Sequence, residues 1–307
     1  MPTAASRRGL LPWLSLLVVW LVWGSTYLAM RVVVSEMPPL VGAGTRFLTA
    51  GSLMALVALG VDRGRGWPRR RQWRDYALVG MLLLGVGNSL VMWSERIVPS
   101  GIAALIVATV PVWILLLDGL RQAGEPWTLR VWIGTAIGLG GVVLVARPGA
   151  GVDRGHWLAI GALQLATLSW TAGSLYAQQV RERLPLASAA AVEMLAGGAL
   201  GLLASRLLGE DWSALATASP HAWAALGYLV VFGSLLGFTC FAYCLNELPA
   251  STVGTYAYVN PVVAVLLGLL VLREPASGGL LLGGALIVVS VVLTTLRPAV
   301  AGRRPPR

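Results

Sequence analysis

The chain contains no lysine, only two histidines and two cysteines, and few charges of any kind: Asp, Glu, Lys and Arg make up 12% of its 307 residues. A soluble domain carries about 25%, so this chain has too few solvated groups to cover a globule in water. His156 and His221 stand at the ends of apolar runs, and neither an HExxH pattern nor a paired-carboxylate metal motif accompanies them. No Ser-His-Asp arrangement lies within those runs, and no GxxxxGK loop is present to cradle phosphates. No cofactor or metal is expected, and an enzyme is the weaker reading. Cys240 and Cys244, four residues apart, share one face of an apolar stretch. Two thiols alone make a poor metal site, and they read as helix packing.

What is present is apolar. Hydrophobic residues make up 57% of the chain, and mean hydropathy is +0.76. A bilayer core of about 30 Å takes roughly 20 apolar residues per helix, and runs of that length recur at 10–33, 39–59, 75–95, 100–119, 129–147, 156–178, 186–207, 222–245, 252–271 and 279–296. The first run is too long for a signal-peptide core and reads as an uncleaved span. All 23 basic residues are arginine. With both termini cytoplasmic, six arginines (Arg31, Arg96, Arg147, Arg154, Arg206 and Arg273) fall outside, Arg46 falls within a span, and the remaining sixteen fall inside, as the positive-inside rule prefers. The arginines sit in short loops rather than on a solvated face, so the partner is the lipid bilayer and not nucleic acid. Trp13, Trp67, Trp73, Trp127, Trp157 and Trp223 fall near run ends, where an interfacial belt belongs. The expected fold is an all-α membrane protein of ten transmembrane helices.

The chain also repeats itself. At an offset of 147, Trp23 meets Trp170, Gly51 meets Gly198, Leu48 meets Leu195, and Arg46 meets Glu193; at 150, Gly87 meets Gly237, Pro99 meets Pro249 and Pro111 meets Pro261. With one loop residue lost, Glu125-Pro126 then meets Glu274-Pro275. Five spans per repeat is an odd number, so residues 156–297 would enter the membrane from the side opposite to 10–147. Such inverted repeats place substrate near the midplane between the halves.

Several stretches resemble the EamA family of the drug/metabolite transporter superfamily, in its bacterial inner-membrane branch. They are Trp23-Gly24-Ser25-Thr26-Tyr27, Arg46-Phe47, Val98-Pro99-Ser100-Gly101-Ile102-Ala103-Ala104, Ala108-Thr109-Val110-Pro111, Glu193-Met194-Leu195 and the run from Tyr256 to Gly268 with its Tyr258-Val259-Asn260-Pro261 core. The resemblance implies a ten-helix fold with a central cavity lined by helices one, three, four, six, eight and nine. It also implies transport of metabolites, amino acids or drugs without ATP, with export favoured over uptake. A scaffold or scramblase without solute transport is the alternative, and behind it a membrane enzyme.

Candidate site residues follow. Pro261 removes a backbone donor and frees the carbonyl of Ala257, which in lipid needs another partner; Pro111 marks the corresponding break. Asn260 and Tyr258 would add polar side chains there. Trp23, Tyr27, Asn88, Trp93, Trp170 and Tyr243 are large or polar groups well inside helices one, three, six and eight, suited to a small-molecule substrate with an apolar or ring-bearing body. Few charges around such a site favour neutral or zwitterionic cargo. Arg46 and Glu193 each lie about seven residues into a span, roughly 10 Å at 1.5 Å per residue, but measured from opposite faces. Their backbones then differ in height by about 10 Å, which does not favour direct pairing. An intramembrane carboxylate is a functional candidate by default, so Glu193 is the candidate proton-coupling group. Glycines at four-residue spacing in helices five and ten, Gly134 to Gly138 and Gly279 to Gly283, allow close helix approach and make those helices a candidate homodimer contact.

Overall fold

The computed structural model describes residues 9–62, 68–120, 128–146, 154–248, 250–274 and 277–295. Among them every regular element is helical. In chain order the long helices are α1 (Leu10–Glu36), α2 (Pro39–Val61), α3 (Arg70–Glu95), α4 (Ser100–Asp118), α5 (Leu129–Ala146), α6 (Arg154–Gln179), α7 (Leu186–Leu207), α8 (220–247), α9 (Tyr256–Leu270) and α10 (Gly278–Thr295). Single helical turns at Ala214–Thr217 and Ala250–Val253 precede α8 and α9. Seven helices, α1 to α4 and α6 to α8, are long and apolar enough to cross a membrane, and α5, α9 and α10 contain shorter apolar stretches.

Large apolar side chains point outward all round: Leu56, Leu158, Leu207, Leu270, Leu281 and Leu282 are exposed, while Arg46, Ser94, Glu95, Thr171, Ser234 and Asn260 are buried. In water such apolar patches would drive association; here lipid is their solvent.

Helix starts follow proline. α2, α4 and α7 have Pro38, Pro99 and Pro185 as N-caps, none with a side-chain capping bond. Their first-turn N–H groups need acceptors from elsewhere, and each receives a carboxylate distant in sequence. Glu210 accepts from Leu40 and Val41 N–H (3.1 and 2.9 Å). Glu274 accepts from Ser100 N–H (2.8 Å) and its hydroxyl (3.0 Å). Asp62 accepts from Ser188 N–H (3.2 Å) and its hydroxyl (2.6 Å). At the start of α8, Glu36 likewise accepts from the N–H and hydroxyl of Ser219, both at 2.7 Å.

Packing is pairwise. α2 lies along α7 and α5 along α10, while α1 packs on α8 and α9, and α6 on α3 and α4. The α2–α7 crossing is close: a Cβ on Gly51 would come within 2.8 Å of Leu195 N, and one on Gly198 would meet the backbone N of Leu48. Gly141 and Gly283 each face the other's carbonyl at 2.7 Å from an added Cβ, and Ser290 donates to the Gly134 carbonyl (2.6 Å). The glycine faces of α5 and α10, expected as a contact between protomers, are therefore engaged with each other inside one chain. Two further features lay beyond the sequence pattern: α3 and α8 are π-helical over Met81–Asn88 and Leu229–Leu236.

Candidate functional site

Seven helices, α1, α2, α3, α4, α6, α8 and α9, enclose a cavity of about 120 Å³. Trp23, Tyr27, Arg46, Asn88, Pro111, Trp170, Asn260 and Pro261 line it together, joined by Phe47, Phe238 and Tyr256. The resemblance had left α2 out of the wall, but α2 brings Arg46 and Phe47 to it. Trp93, Tyr243 and Glu193 do not line this cavity. Trp93 packs into the apolar cluster around Met92 and Val98, and Glu193 sits where α7 runs backbone-to-backbone against Gly80 of α3. The side chain of Tyr258 lies outside the described residues.

The tryptophans are held crosswise. Trp23 of α1 packs on Gly237 of α8, and Trp170 of α6 packs on Gly87 of α3, 3.5 Å from a Cβ built there. Trp23 also donates its indole N–H to the Gly233 carbonyl (3.1 Å), inside the π-helical stretch where the i→i−4 ladder is broken. On α3, the Leu82 carbonyl receives the Ser169 hydroxyl (2.7 Å). Phe238, Phe241 and Tyr256 surround Trp23 with ring centroids at 5.8, 5.0 and 5.4 Å, the edge and tilted geometries aromatic pairs prefer.

Arg46 is 5% exposed. Its Nε donates to Ser234 Oγ (3.1 Å) and its Nη1 to Asn88 Oδ1 (3.3 Å), which ties α2 to both π-helical stretches. The guanidinium carbon lies 4.6 Å from the Phe47 ring centroid, and a Cβ on Gly233 would stand 3.0 Å from Nη2, so glycine there makes room for it. These bonds use two of the five N–H donors of a guanidinium. Among the described residues the one ion pair is Arg74 with Asp75. Arg46 does not pair with Glu193; its bonds go to neutral side chains. A buried cation of this kind is costly unless a counter-charge reaches it.

Asn260 differs from its expected role. Oriented so that its amide nitrogen faces the neighbouring carbonyls, it donates to Tyr256 O (3.2 Å) and Trp20 O (3.1 Å). The bond to Trp20 O fastens α9 to α1 and the bond to Tyr256 O stays within α9, at a crossing where a Cβ on Gly24 would come 2.6 Å from Val263 Cβ. The interruption in α4 falls at Ala108 and Thr109, just before Pro111, whereas α9 runs unbroken through Pro261 from Tyr256 to Leu270, after turns at Gly254 and Thr255.

Two polar residues escaped the sequence reading. Ser234 sits in an apolar run with no partner visible in sequence. Glu95 closes the run 75–95 beside Arg96 and drew no role from the sequence. In the fold it is 0% exposed, and the signal that could have found it is the apolar pair Ile97-Val98 continuing beyond it.

The model of the EamA-like transporter family matches residues 11–147 and 157–296. The inner membrane transporter YedA of Escherichia coli, itself named as uncharacterised, is 41% identical over 292 residues, covering 94% of this chain and 92% of its own. A probable terminal-alkyne amino-acid exporter of Streptantibioticus cattleyicolor is 29% identical, covering 94% of each. The transporter YvbV of Bacillus subtilis, also named as uncharacterised, is 28% identical over 92% of each chain. A crystal structure at 21% identity matches with a TM-score of 0.64 over 92% of this chain and 95% of the other, a likeness of fold alone.

Proposed function

Because the chain belongs to the EamA-like transporter family, we propose that this multi-pass inner-membrane transporter is a secondary carrier exporting a small, carboxylate-bearing metabolite of the amino-acid class by alternating access. All ten long helices cross the bilayer in this reading, α5, α9 and α10 included, and both termini are cytoplasmic; the arginine bias supports that orientation. Residues 10–147 and 156–297 are inverted five-helix repeats, a reading supported by the reciprocal packing of α2 with α7 and of α5 with α10. Two near-equivalent halves can exchange roles, giving inward-open and outward-open states of similar energy. Export is supported by the name of the Streptantibioticus relative.

One observation carries the substrate class: the Arg46 guanidinium, 5% exposed, lines an aromatic-walled cavity and is bonded only to neutral side chains. A carboxylate is the group that a planar guanidinium recognises best, and Trp23, Tyr27 and Trp170 would cover an apolar body. In proteoliposomes, labelled neutral amino acids should undergo counterflow and their decarboxylated amines should not. Arg46→Gln should cut counterflow about tenfold or more, since a charge-assisted bond is worth about 1.5–3 kcal/mol. Equal exchange of amine and amino acid would sink the assignment, and no exchange of any solute would return the chain to the scaffold or scramblase reading.

A further inference from the structure

Glu95 is the last residue of α3 and is fully buried, at 0% exposure. Neither of its carboxylate oxygens has a hydrogen-bond partner in the protein. Its neighbour Ser94 shows how completely the site is otherwise satisfied, donating to Leu90 O (2.8 Å) and reaching Ala159 O of α6 (3.1 Å). The charges whose field reaches Glu95 are Arg31 from α1, Arg46 from α2 and Glu274 from the segment after α9. Tyr27 of α1 feels Glu95 in turn. No cation lies within 4.0 Å among the described residues, and α4 faces this level with the apolar stretch Gly101–Val107. Glu274 is already committed to the start of α4 through Ser100.

An ionised carboxylate with no donor and no counter-ion in contact costs several kcal/mol when buried. From Asn88, the residue bonded to Arg46, Glu95 lies seven residues further along α3, about 10 Å at helical rise. It therefore stands between the cavity and the end of the bundle where α1 and α3 finish and α4 begins.

We infer that Glu95 is a proton-binding site, occupied in this conformation and emptied when α1 and α4 part around it. The step is a simple ionisation: the O–H bond breaks, the carboxylate keeps the electron pair, and the proton passes to water at that end of the bundle. The freed carboxylate then faces Arg31, which stabilises it. Because the closed arrangement binds the proton and the opened one releases it, acid favours the closed arrangement and alkali the opened one. This rests on the carrier reading for what the proton does, and on burial alone for where it sits.

The test is infrared difference spectroscopy of the full-length protein in lipid, with pH as the only perturbation. Wild type should show the carbonyl stretch of a protonated carboxyl that disappears on alkalinisation. Glu95→Gln should remove that band while the helical amide band is unchanged. Glu95→Asp should shift the band and Glu193→Gln should leave it. A carboxyl band whose position and intensity Glu95→Gln leaves unchanged, or one that Glu193→Gln abolishes altogether, overturns the assignment. So does a wild type with no protonated carboxyl, which would mean Glu95 is ionised and paired with Arg31, or a band that responds to sodium and not to pH. A protein that fails every counterflow assay yet loses the band in Glu95→Gln supports the proton site and refutes the carrier.

Discussion

Residues 11–147 and 157–296, the two stretches matched to the family, agree in their scaffold and differ in their chemistry. The agreement is reciprocal. Gly51 meets Leu195 as Gly198 meets Leu48, Trp23 rests on Gly237 as Trp170 rests on Gly87, and both α3 and α8 turn π-helical before those glycines. Asp62, after α2, caps α7, and Glu210, after α7, caps α2. The polar groups of the cavity break the pattern. Asn88 stands opposite Phe238 at the repeat offset, Asn260 opposite Val110 and Arg46 opposite Glu193; beyond the cavity, Glu95 stands opposite Leu245. In the carrier proposed above, a scaffold that alternates between two mirrored arrangements would need equivalent contacts in each. A site that orients one asymmetric substrate needs a cation on one side only.

The scaffold half of that comparison is the easier to break. A side chain at Gly51 or Gly198 meets backbone atoms of the facing helix, which cannot move aside as a rotamer can. Gly51→Val and Gly198→Val should each lower stability by about 3 kcal/mol or more, read as loss of monodisperse protein on heating in detergent. The two losses should be nearly equal. A tolerated change at one site and a lethal one at its counterpart would show that the crossing is not reciprocal.

The tryptophans sharpen the boundary between scaffold and chemistry. Trp23→Phe keeps a ring on Gly237 but leaves the Gly233 carbonyl without its indole donor, a loss of about 1–3 kcal/mol for a buried group left unsatisfied. Trp170→Phe should cost less, because on α3 the π-helical carbonyl served by a side chain is that of Leu82, one residue short of the repeat position of Gly233, and its donor is Ser169. Ser169→Ala is then the nearest analogue of Trp23→Phe on the other side, though not its positional counterpart. Thermal shifts of Trp23→Phe and Ser169→Ala that match, with Trp170→Phe smaller, support this pairing; a Trp170→Phe shift as large as that of Trp23→Phe defeats it.

Much of the architecture was legible because lipid imposes long apolar runs and the repeat preserves Trp, Gly and Pro in order. The cavity residues Trp23, Tyr27, Arg46, Asn88, Trp170 and Asn260 could be picked out as polar or aromatic groups inside those runs. Trp93, Tyr243 and Glu193 satisfied the same criterion yet lie off the cavity, since depth in a span says nothing about which face of a helix turns inward. The π-helical stretches carry no propensity signature and shift that face within one helix. Glu95, the last residue of the run 75–95 and followed by Arg96, has the sequence setting of a charge at the membrane surface although it is buried. The carboxylate caps were hidden by distance: Glu274 and Ser100 are 174 residues apart in sequence.

Those caps give the smallest expected effect and the finest measure of equivalence. Pro38 and Pro185 supply no capping side chain, so Glu210 and Asp62 serve the first turns of α2 and α7 in place of one. An N-terminal capping acceptor is worth about 1 kcal/mol, and a negative charge at the positive end of a helix adds about 0.3–1 kcal/mol, screened by salt. Asp62→Asn and Glu210→Gln keep an acceptor oxygen and remove only the charge, so each should lower thermal stability slightly, most at low ionic strength. Asp62→Ala and Glu210→Ala remove the acceptor as well and should lower it further, by similar amounts. Should the alanine variants differ by much more than the charge-only variants do, the two caps are not counterparts, and the equivalence stops at the membrane-embedded part of the bundle.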